Sequence, residues 1–429
     1  MIPKGVFRAV SPFYHFFMAF WSALFYGFPS RRLYVIGVTG TKGKTTVVHL
    51  LHHLLASSGA RVASSSSLGI RIGEDSFEHA SKMTMPGRMA VQKFLHDARR
   101  RECDYAIIEV TSEGIRQFRH RFIRFSSAIM TSIHKEHIES HGSFEAYLRA
   151  KLDLFWRLPK HAVAVLNEDD EFYDRFSAAT AAKKMTYSFS GIVSGAAPLP
   201  VKHMSFIGEG IEFDIGRVSV RSPLLGEHNA ANILAALALA SSRHISFEKA
   251  ASSLELFSGI PGRMEFFQKE SFFVIIDYAH TPESLEALYG AFADSQNICV
   301  LGNTGGGRDT WKRPKMAAIA EKHCAEIILT NEDPYDENPQ KIVNEMAAGV
   351  SDKKKLSVIL DRREAIREAL NCARELKEAS PHQHIAVLIT GKGTDPFIMG
   401  PRGQKTPWDD AAIVREELKK FLRKKTERV

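Results

Sequence analysis

The stretch GVTGTKGKTT, residues 37–46, decides the fold of this chain. The apolar residues 33–38 lead into it, and the segment VVHLLHHLL, which repeats apolar side chains at helical spacing, follows it. A strand, a glycine-rich loop and a helix in this order form a cradle for phosphate groups, because backbone N–H groups and the helix N-terminus attract anions. The sequence therefore predicts that a nucleotide binds at this loop.

Within the loop, Gly43, Lys44 and Thr45 stand where a P-loop needs its glycine, its lysine and its hydroxyl. Lys44 would neutralise charge on the β- and γ-phosphates, and Thr45 would reach Mg²⁺. The spacing departs from the strict GxxxxGK pattern, because Val38 occupies the position of the first glycine. An ordinary glycine-rich turn between a strand and a helix is the alternative, and the context of GKTT favours the nucleotide site.

The composition of the chain, 429 residues with 44% hydrophobic and 25% charged side chains, is that of a soluble globular protein with two or three domains. Four scattered cysteines show neither CxxC nor Cys/His spacing, so they suggest neither a disulfide framework nor a zinc site, and a reducing cytoplasm fits. The net charge of +8 comes from dispersed basic residues. We therefore expect solvated basic faces and no nucleic-acid partner.

Residues 11–30, SPFYHFFMAFWSALFYGFPS, are apolar and strongly aromatic, and Lys4, Arg8, Arg31 and Arg32 flank them. The segment is slightly short of the roughly 20 apolar residues that a membrane span requires. No small-residue cleavage site follows it, which argues against a signal peptide. Three interpretations stay open: a helix packed on the body of the protein, an interfacial helix that gives peripheral membrane contact, and a span.

Apolar strands alternate with helical stretches from residue 33 to about residue 257, which indicates a parallel sheet with crossover helices. Residues 189–229 predict a small antiparallel excursion, and the strand pattern restarts after SGIPGRME. The predicted class is α/β, with a central P-loop ATPase domain and a C-terminal Rossmann-like domain, and ligand groups belong at the carboxyl ends of the strands. The predicted segments are 1–32 (aromatic N-terminal segment), 33–262 (ATP-binding domain) and 263–429 (C-terminal domain).

Residues 37–46 closely resemble the T-G-T-N-G-K-T-T loop of the Mur ligases, the ATP-dependent amide-forming enzymes of peptidoglycan precursor synthesis. Further stretches resemble family motifs in the family's order, over roughly residues 33–418. They are EVTSEG (109–114), TSIHKEHIESHGSFEAYLRAKLDLF (131–155), GEHNAANILAALA (226–238), GRME (262–265), DYAHTPESLEAL (277–288), GNTGGGRDTWKRPKM (302–316) and GKGTD (391–395). The last two point to the MurE type, which adds the third residue of the stem peptide.

The resemblance implies two Mg²⁺ ions. Thr45 and Glu109 would hold the first, and His137, with Glu136 in place of the usual aspartate, would bind the second. Lys151 would be carbamylated by CO₂, because an anionic carbamate can bind Mg²⁺ whereas an ammonium cannot. Without the family context, Glu109 reads as a cap or salt-bridge partner, His137 as a structural histidine and Lys151 as an exposed helix lysine.

Nucleotide contacts are also implied for Asn229 and Asn232, which lie one helical turn apart, for Arg263 at the domain junction and for Asp277, with His280 after the same strand. Helix capping is the alternative for Asn229. The complete expected set is catalytic Lys44, Lys151, His137 and Arg263; ATP-binding Gly40, Thr41, Gly43, Lys44, Thr45, Thr46, Asn229, Asn232, Arg263 and Asp277; metal-binding Thr45, Glu109, His137 and Lys151; and substrate-binding Thr84, Pro86, Thr111, Ser112, Asp333, Pro334, Gly391 and Lys392.

The implied reaction has two steps. A substrate carboxylate attacks the γ-phosphate of ATP to give an acyl phosphate, and an amine then displaces phosphate to form an amide. Lys44, Arg263 and the metal ions would offset the repulsion between the carboxylate and the triphosphate. The implied partners are UDP-MurNAc-L-Ala-D-Glu or a related carboxylate and an amino acid, and we expect a monomer.

Two stretches depart from the family pattern. Only about 32 residues precede the P-loop strand, so we expect the usual N-terminal UDP-binding domain to be lacking. In the amine pocket, Tyr335 replaces the arginine of the D-N-P-R motif of diaminopimelate-adding enzymes. A phenol cannot grip a carboxylate as a guanidinium does, so we expect lysine or another diamino acid. The alternatives are a ligase for a lipid-linked, poly-γ-glutamate or cyanophycin-type carboxylate, and a non-catalytic nucleotide-binding scaffold.

Overall fold

The computed structural model describes residues 4–77, 83–134, 141–193, 198–207, 210–268, 271–307 and 309–426. The chain divides into two compact units, Met1–Ser258 and Gly259–Val429. This division falls just before the boundary that the sequence predicts at residues 261–263.

In the first unit, the described helices are α1 (Lys4–Phe25), α2 (Lys44–Ser57), α3 (Arg88–Arg100), α4 (Ser112–Arg116), α5 (Phe144–Trp156), α6 (Tyr173–Ala178), α7 (Glu227–Ser242) and α8 (Phe247–Glu255). The described strands are β1 (Tyr34–Thr39), β2 (Val62–Ser66), β3 (Gly69–Ile72), β4 (Asp75–Phe77), β5 (Tyr105–Glu109), β6 (Ser127–Met130), β7 (Val163–Asn167), β8 (Lys183–Ser188), β9 (Gly191–Val193), β10 (Pro198–Ile207), β11 (Gly210–Ile215) and β12 (Val218–Ser222).

These strands form one sheet in the order β12-β11-β10-β9-β8-β7-β6-β1-β5-β2-β3-β4. Its centre, from β8 to β2, is parallel, and β1 pairs with both β5 and β6. Helices cover parallel strands on both faces, which explains why β1 and β5 read as almost continuous apolar runs. Strands β9 to β12 pair antiparallel, which confirms the excursion predicted for residues 189–229.

In the second unit, the described helices are α9 (Pro282–Gly290), α10 (Lys312–His323), α11 (Pro339–Ala347), α12 (Arg362–Ala379) and α13 (Asp410–Thr426). The described strands are β13 (Glu265–Gln268), β14 (Phe273–Asp277), β15 (Gln296–Leu301), β16 (Cys324–Leu329), β17 (Leu356–Val358), β18 (Ile385–Thr390), β19 (Phe397–Met399) and β20 (Lys405–Pro407). The main sheet has the order β13-β14-β18-β15-β16-β17, parallel except for the edge strand β13, and β19 pairs with β20. The predicted α/β class with two such domains is confirmed.

Cys299 and Cys324 form a disulfide, so the expectation that the cysteines suggest no disulfide is wrong for this pair. The two residues are 25 positions apart, on the neighbouring parallel strands β15 and β16. The crossover helix α10 separates them in the sequence, whereas the sheet brings their strands together. Spacing alone could not reveal this contact. Cys103 and Cys372 are free thiols.

The aromatic segment forms most of α1, which packs on the first unit. Phe16 and Phe20 meet the ring of Phe122 at centroid distances of 5.2 and 5.5 Å. His15 contacts Arg88 of α3. Of the three interpretations of this segment, packing on the body is thus observed for part of its surface. Among the described residues, no helix is both long enough and apolar enough to cross a membrane.

A buried ion pair ties α12 to the start of α13. Arg362 donates to both carboxylate oxygens of Asp410 at 2.8 and 2.7 Å, and neither side chain is exposed to solvent. Trp408 donates its indole N–H to the same carboxylate at 2.8 Å. Removing one partner leaves the other charge buried and uncompensated.

We expect Asp410→Ala to lower the free energy of unfolding by about 3–5 kcal/mol. The measurement is denaturant-induced unfolding followed by tryptophan fluorescence. The double variant Arg362→Met/Asp410→Leu is the control, and it should recover most of the loss because it leaves no lone charge. Single and double variants that are equally destabilised would contradict this account.

Candidate active site

The loop between β1 and α2 needs glycine at two positions. Gly40 and Gly43 have φ angles of 154° and 81°, in the region that favours glycine. A Cβ on Gly40 would collide with the hydroxyl of Thr131, and one on Gly43 would collide with the amide oxygen of Asn232. The loop backbone is therefore held close to strand β6 and helix α7, with the N-terminus of α2 at its end.

Lys44 begins α2 and folds back over the loop. Its ammonium donates to the carbonyl oxygens of Gly40 at 3.1 Å and Thr41 at 2.9 Å. It also lies 4.0 Å from a carboxylate oxygen of Glu109. The ammonium is thus inside the loop, where it can neutralise a phosphate group that the backbone N–H groups hold.

Thr45 and Glu109, which the family resemblance assigns to one metal ion, are in contact. The Thr45 hydroxyl donates to Glu109 Oε2 at 2.9 Å, and both side chains are buried. Ser67 joins them: its backbone N–H donates to Glu109 Oε2 at 3.1 Å, and its hydroxyl lies 2.9 Å from Thr45 Oγ1. A buried carboxylate with two hydroxyls is a set of hard oxygen donors of the kind that Mg²⁺ prefers. Ser67 was not among the residues expected from the sequence, although its position just after β2 was a usable signal.

Lys151 is 2% exposed, so the interpretation of it as an exposed helix lysine is wrong. Helix α5 aims its Nζ at the P-loop, where it donates to the carbonyl of Gly40 at 2.6 Å. Tyr147, one turn earlier, lies with its ring centroid 4.7 Å from that Nζ, and its hydroxyl is 2.7 Å from the hydroxyl of Thr41. Lys151 and Tyr147 thus reach the same loop. Tyr147 was not among the residues expected from the sequence, although the spacing of four residues places it on the same helix face as Lys151.

His137, which was expected to bind the second metal ion, lies outside the described residues, as does its neighbour Glu136. The next histidine, His141, has its Nε2 3.1 Å from the hydroxyl of Ser112. Thr111 caps α4 by accepting the N–H of Gly114 at 3.0 Å. Two of the expected substrate residues therefore lie at the carboxyl end of β5, beyond Glu109.

The expected substrate residues Thr84 and Pro86 flank the buried Met85. The carbonyl of Met85 accepts a hydrogen bond from the guanidinium of Arg119, which is itself buried. This segment is thus fixed to the turn that follows α4.

Asn229 and Asn232 share one face of α7. The amide of Asn232 donates to Asn229 Oδ1 at 3.1 Å, and the amide of Asn229 donates to the carbonyl of Leu225 at 2.9 Å. The N-cap of α7 is Gly226, so capping does not describe Asn229. Because Asn232 also packs on Gly43, this pair lies beside the P-loop. Thr46, the last residue of the motif, is buried in the first turn of α2.

In the second unit, Arg263 and Asp277 lie near one end of β14. Asp277 accepts the backbone N–H groups of Met264 at 2.8 Å and Ala279 at 2.7 Å. The guanidinium of Arg263 lies 4.6 Å from the ring centroid of Tyr278. Asp277 therefore fixes the turn that carries Arg263. His280, after the same strand, has its Nδ1 2.8 Å from the carbonyl of Tyr278.

The residues expected to contact the amine substrate come together at the ends of β16 and β18. Lys392 is 1% exposed and donates to Asp333 at 2.9 Å and to the carbonyl of Phe397 at 2.6 Å. Asp333 also accepts the N–H of Met399 at 2.7 Å. Pro334, the residue after Asp333, is also buried. Lys392 and Asp333 are thus satisfied by protein groups.

Glu332 lies beside Lys392 and Asp333 and was not among the residues expected from the sequence. One of its carboxylate oxygens accepts the hydroxyl of Thr304 at 2.8 Å, and the other has no hydrogen-bond partner among the described residues. Burial raises the pKa of this carboxyl group. A Cβ on Gly391 would collide with the unpaired oxygen, so only glycine lets the backbone at this position approach it so closely. Tyr335, at the position of the family arginine, has a left-handed φ of 51° and donates its N–H to Met399.

Two family profiles match the chain: the Mur ligase middle domain over residues 38–240, and the Mur ligase glutamate ligase domain over residues 262–393. The UDP-N-acetylmuramoyl-L-alanyl-D-glutamate–2,6-diaminopimelate ligase of Gloeobacter violaceus is 36% identical over 409 residues, which cover 93% of this chain and 80% of that protein. The protein of the same name from Thermosynechococcus vestitus is 34% identical over 418 residues, covering 95% and 81%. A solved structure of a ligase of that name has a TM-score of 0.63 and 29% identity, and covers 90% of this chain and 78% of that chain.

The two matched ranges contain the features described above. The first holds the P-loop, Glu109, Lys151 and the asparagine pair of α7, and the second holds Arg263, Glu332 and Lys392. The identity to the relatives extends over almost the whole chain. The chain therefore belongs to the Mur ligase family.

Proposed function

We propose that this protein is an ATP-dependent ligase that joins an amino acid to UDP-MurNAc-L-Ala-D-Glu through an acyl phosphate. Mur ligases depend on ATP and use Mg²⁺. The observation that carries the proposal is the cluster of Lys44, Thr45, Glu109 and Lys151 around a single loop. A scaffold that only binds a nucleotide would not need a buried lysine aimed at that loop together with a buried carboxylate.

The residues fit Mg²⁺ and a carbamate. Thr45, Ser67 and Glu109 supply the hard oxygens of a metal site, and His137 is the proposed ligand of a second ion. We propose that Lys151 carries a carbamate. Burying an ammonium group is costly, whereas an anionic carbamate would be stabilised by the two bound Mg²⁺ ions. Bound Mg²⁺ would neutralise phosphate charge during transfer.

The chain's own groups then have defined tasks. The N–H groups of the loop and Lys44 would hold the phosphates in line, Asn229 and Asn232 would contact the nucleotide, and Arg263 would reach the γ-phosphate. In the first step the carboxylate oxygen forms a bond to the γ-phosphorus and ADP leaves. In the second step the amine nitrogen bonds to the carbonyl carbon, phosphate leaves and the nitrogen loses a proton.

The test is ADP release by the purified full chain with Mg²⁺, ATP, UDP-MurNAc-L-Ala-D-Glu and a panel of amino acids, with Lys44→Ala as the blank. Release that requires both the nucleotide-sugar and one amino acid would support the proposal. Release with the free dipeptide instead would show that the UDP part is not recognised. If ATP binds but no acceptor causes release, the scaffold interpretation replaces the ligase.

For the amine, we propose lysine or another diamino acid. The relatives are named for 2,6-diaminopimelate, whereas here Tyr335 stands in place of the arginine that would grip its second carboxylate. The unpaired oxygen of the buried Glu332 is a site for an ammonium group, whose charge would favour the ionised carboxylate.

We expect Glu332→Gln to raise the KM for the amine on the order of ten- to a hundredfold and to leave the KM for ATP unchanged, because a charge-assisted hydrogen bond is lost. The readout is ADP release at varied amine and varied ATP concentrations. Glu286→Gln, an exposed glutamate of α9 in the same unit, is the matched control. Equal changes in both KM values would contradict an amine-specific role.

We further propose that the protein is a cytoplasmic monomer with peripheral membrane contact through residues 11–30. Among the alternative substrates, the exposed aromatic side chains of α1 favour a lipid-linked carboxylate over a carboxylate of the poly-γ-glutamate or cyanophycin type. The panel above should therefore include a lipid-linked acceptor of the same dipeptide. Turnover with that acceptor alone would select the alternative.

A further inference from the structure

Helix α1 turns many of its large side chains away from the protein, although Phe16 and Phe20 contact Phe122. Its most buried side chains are small: Ala19, Ser22 and Ala23 are at most 2% exposed. The side chains that face outward are large and apolar, with exposed fractions of 69% for Phe13, 57% for Phe17, 59% for Trp21, 44% for Leu24 and 74% for Phe25. A surface helix of a soluble protein normally shows the reverse arrangement. We call these five residues the outer face of α1.

Other residues of α1 and of the segment after it hold the helix in place. Phe16 packs edge-on against Phe118 and Phe122, at centroid distances of 6.5 and 5.2 Å. After the helix, the hydroxyl of the buried Ser30 accepts the N–H of Arg124 at 3.1 Å. The helix is therefore anchored on one side while a contiguous aromatic surface stays exposed on the other, and such surfaces mark interaction sites.

Exposed arginines flank this face. The chain contains no aspartate or glutamate before Glu74. Arg31 and Arg32 lie a few residues after the end of α1 and are exposed. Arg124, on the segment that packs against the helix, is exposed as well. Aromatic side chains beside arginines match the boundary of a bilayer that carries anionic headgroups.

We propose that the outer face of α1 inserts into the interface of a membrane containing anionic phospholipid, with the helix lying in the membrane plane. A second copy of this chain fits less well, because a two-fold contact through this face would bring the arginines of both copies together. This proposal deepens the peripheral membrane contact proposed above for residues 11–30. It is independent of the proposed ligase activity, since it rests on α1 and its flanking charges alone.

The experiment is flotation of the full chain with vesicles of phosphatidylcholine containing 30% phosphatidylglycerol, compared with phosphatidylcholine alone. The test variant is Phe17→Gln/Trp21→Gln/Phe25→Gln, whose side chains are exposed and whose thermal unfolding should match the wild type. The matched control is Trp156→Gln, a tryptophan that is 54% exposed on α5 and outside this face. Arg31→Ala/Arg32→Ala tests the charges.

We expect the wild type and Trp156→Gln to float with anionic vesicles, and the triple variant to partition at least tenfold less. Arg31→Ala/Arg32→Ala should bind anionic vesicles more weakly and with less dependence on salt. Binding by the triple variant equal to that of the wild type would overturn the proposal. A concentration-dependent dimer in light scattering that the triple variant loses, without vesicle binding by the wild type, would assign the face to a second copy. ADP release in vesicle-free buffer is measured in parallel, so that failure of this proposal is separable from failure of the proposed function.

Discussion

Replacing Lys151 by alanine should slow ADP release on the order of a thousandfold, and a small carboxylate such as acetate should restore part of the rate. The side chain is buried and its Nζ lies 2.6 Å from the carbonyl of Gly40, so the change removes a group next to the phosphate loop. If that group is a carbamate, the cavity left by alanine lacks an anion. Acetate can then supply the anion without a covalent bond.

Rescue separates the carbamate from a purely structural ammonium. A structural ammonium would be replaced by added methylamine, and a carbamate by added acetate. Arg149→Ala is the matched control, because Arg149 is on the same helix but exposed. A second readout avoids turnover altogether: protein equilibrated with ¹³C-bicarbonate should show a carbamate carbon signal in NMR that Lys151→Ala lacks. Full activity of Lys151→Ala without additives, or the absence of that signal from the wild type, would refute the carbamate.

The P-loop could be predicted from the sequence because its determinants are local. Gly43, Lys44 and Thr45 are consecutive, and the apolar strand before them and the helix after them are visible as periodic patterns. The partners of the loop are not local. The hydroxyls of Thr41 and Tyr147 meet across 106 positions, and Thr45 meets Glu109 across 64. Only the resemblance to a family placed Glu109 and Lys151 at the loop, and it named neither Ser67 nor Tyr147.

The class of fold could likewise be predicted, because buried parallel strands are recognisable as short apolar runs. Contacts between strands could not, and the pair Cys299–Cys324 therefore went unnoticed. The orientation of α1 was hidden for another reason. Its sequence is apolar on nearly every face, so apolar periodicity does not say which side is buried. The usable signal was the spacing of the small residues Ala19, Ser22 and Ala23, which form one stripe.

The Lys44→Ala variant should show no ADP release above background and should bind ATP more weakly. Lys44 is the ammonium of the loop, 3.1 and 2.9 Å from two loop carbonyls, and alanine leaves nothing to offset the charge of the β- and γ-phosphates. Loss of one such group costs roughly a hundred- to a thousandfold in rate. The measurements are ADP release and calorimetric titration with a non-hydrolysable ATP analogue.

Lys42→Ala is the matched control, because it removes a lysine of the same loop whose position in the motif has no phosphate-binding role. The rate of ADP release by Lys42→Ala should stay within a few-fold of the wild-type rate. The thermal unfolding of Lys42→Ala and Lys44→Ala should be the same. If Lys42→Ala and Lys44→Ala lose activity equally, the loop depends on its total positive charge and not on the P-loop position. If Lys44→Ala retains full turnover, the ATP that is consumed does not bind at residues 37–46, and the ATP-binding site proposed here would be wrong. The contrast between these two neighbouring lysines therefore tests the site itself, before any substrate is identified.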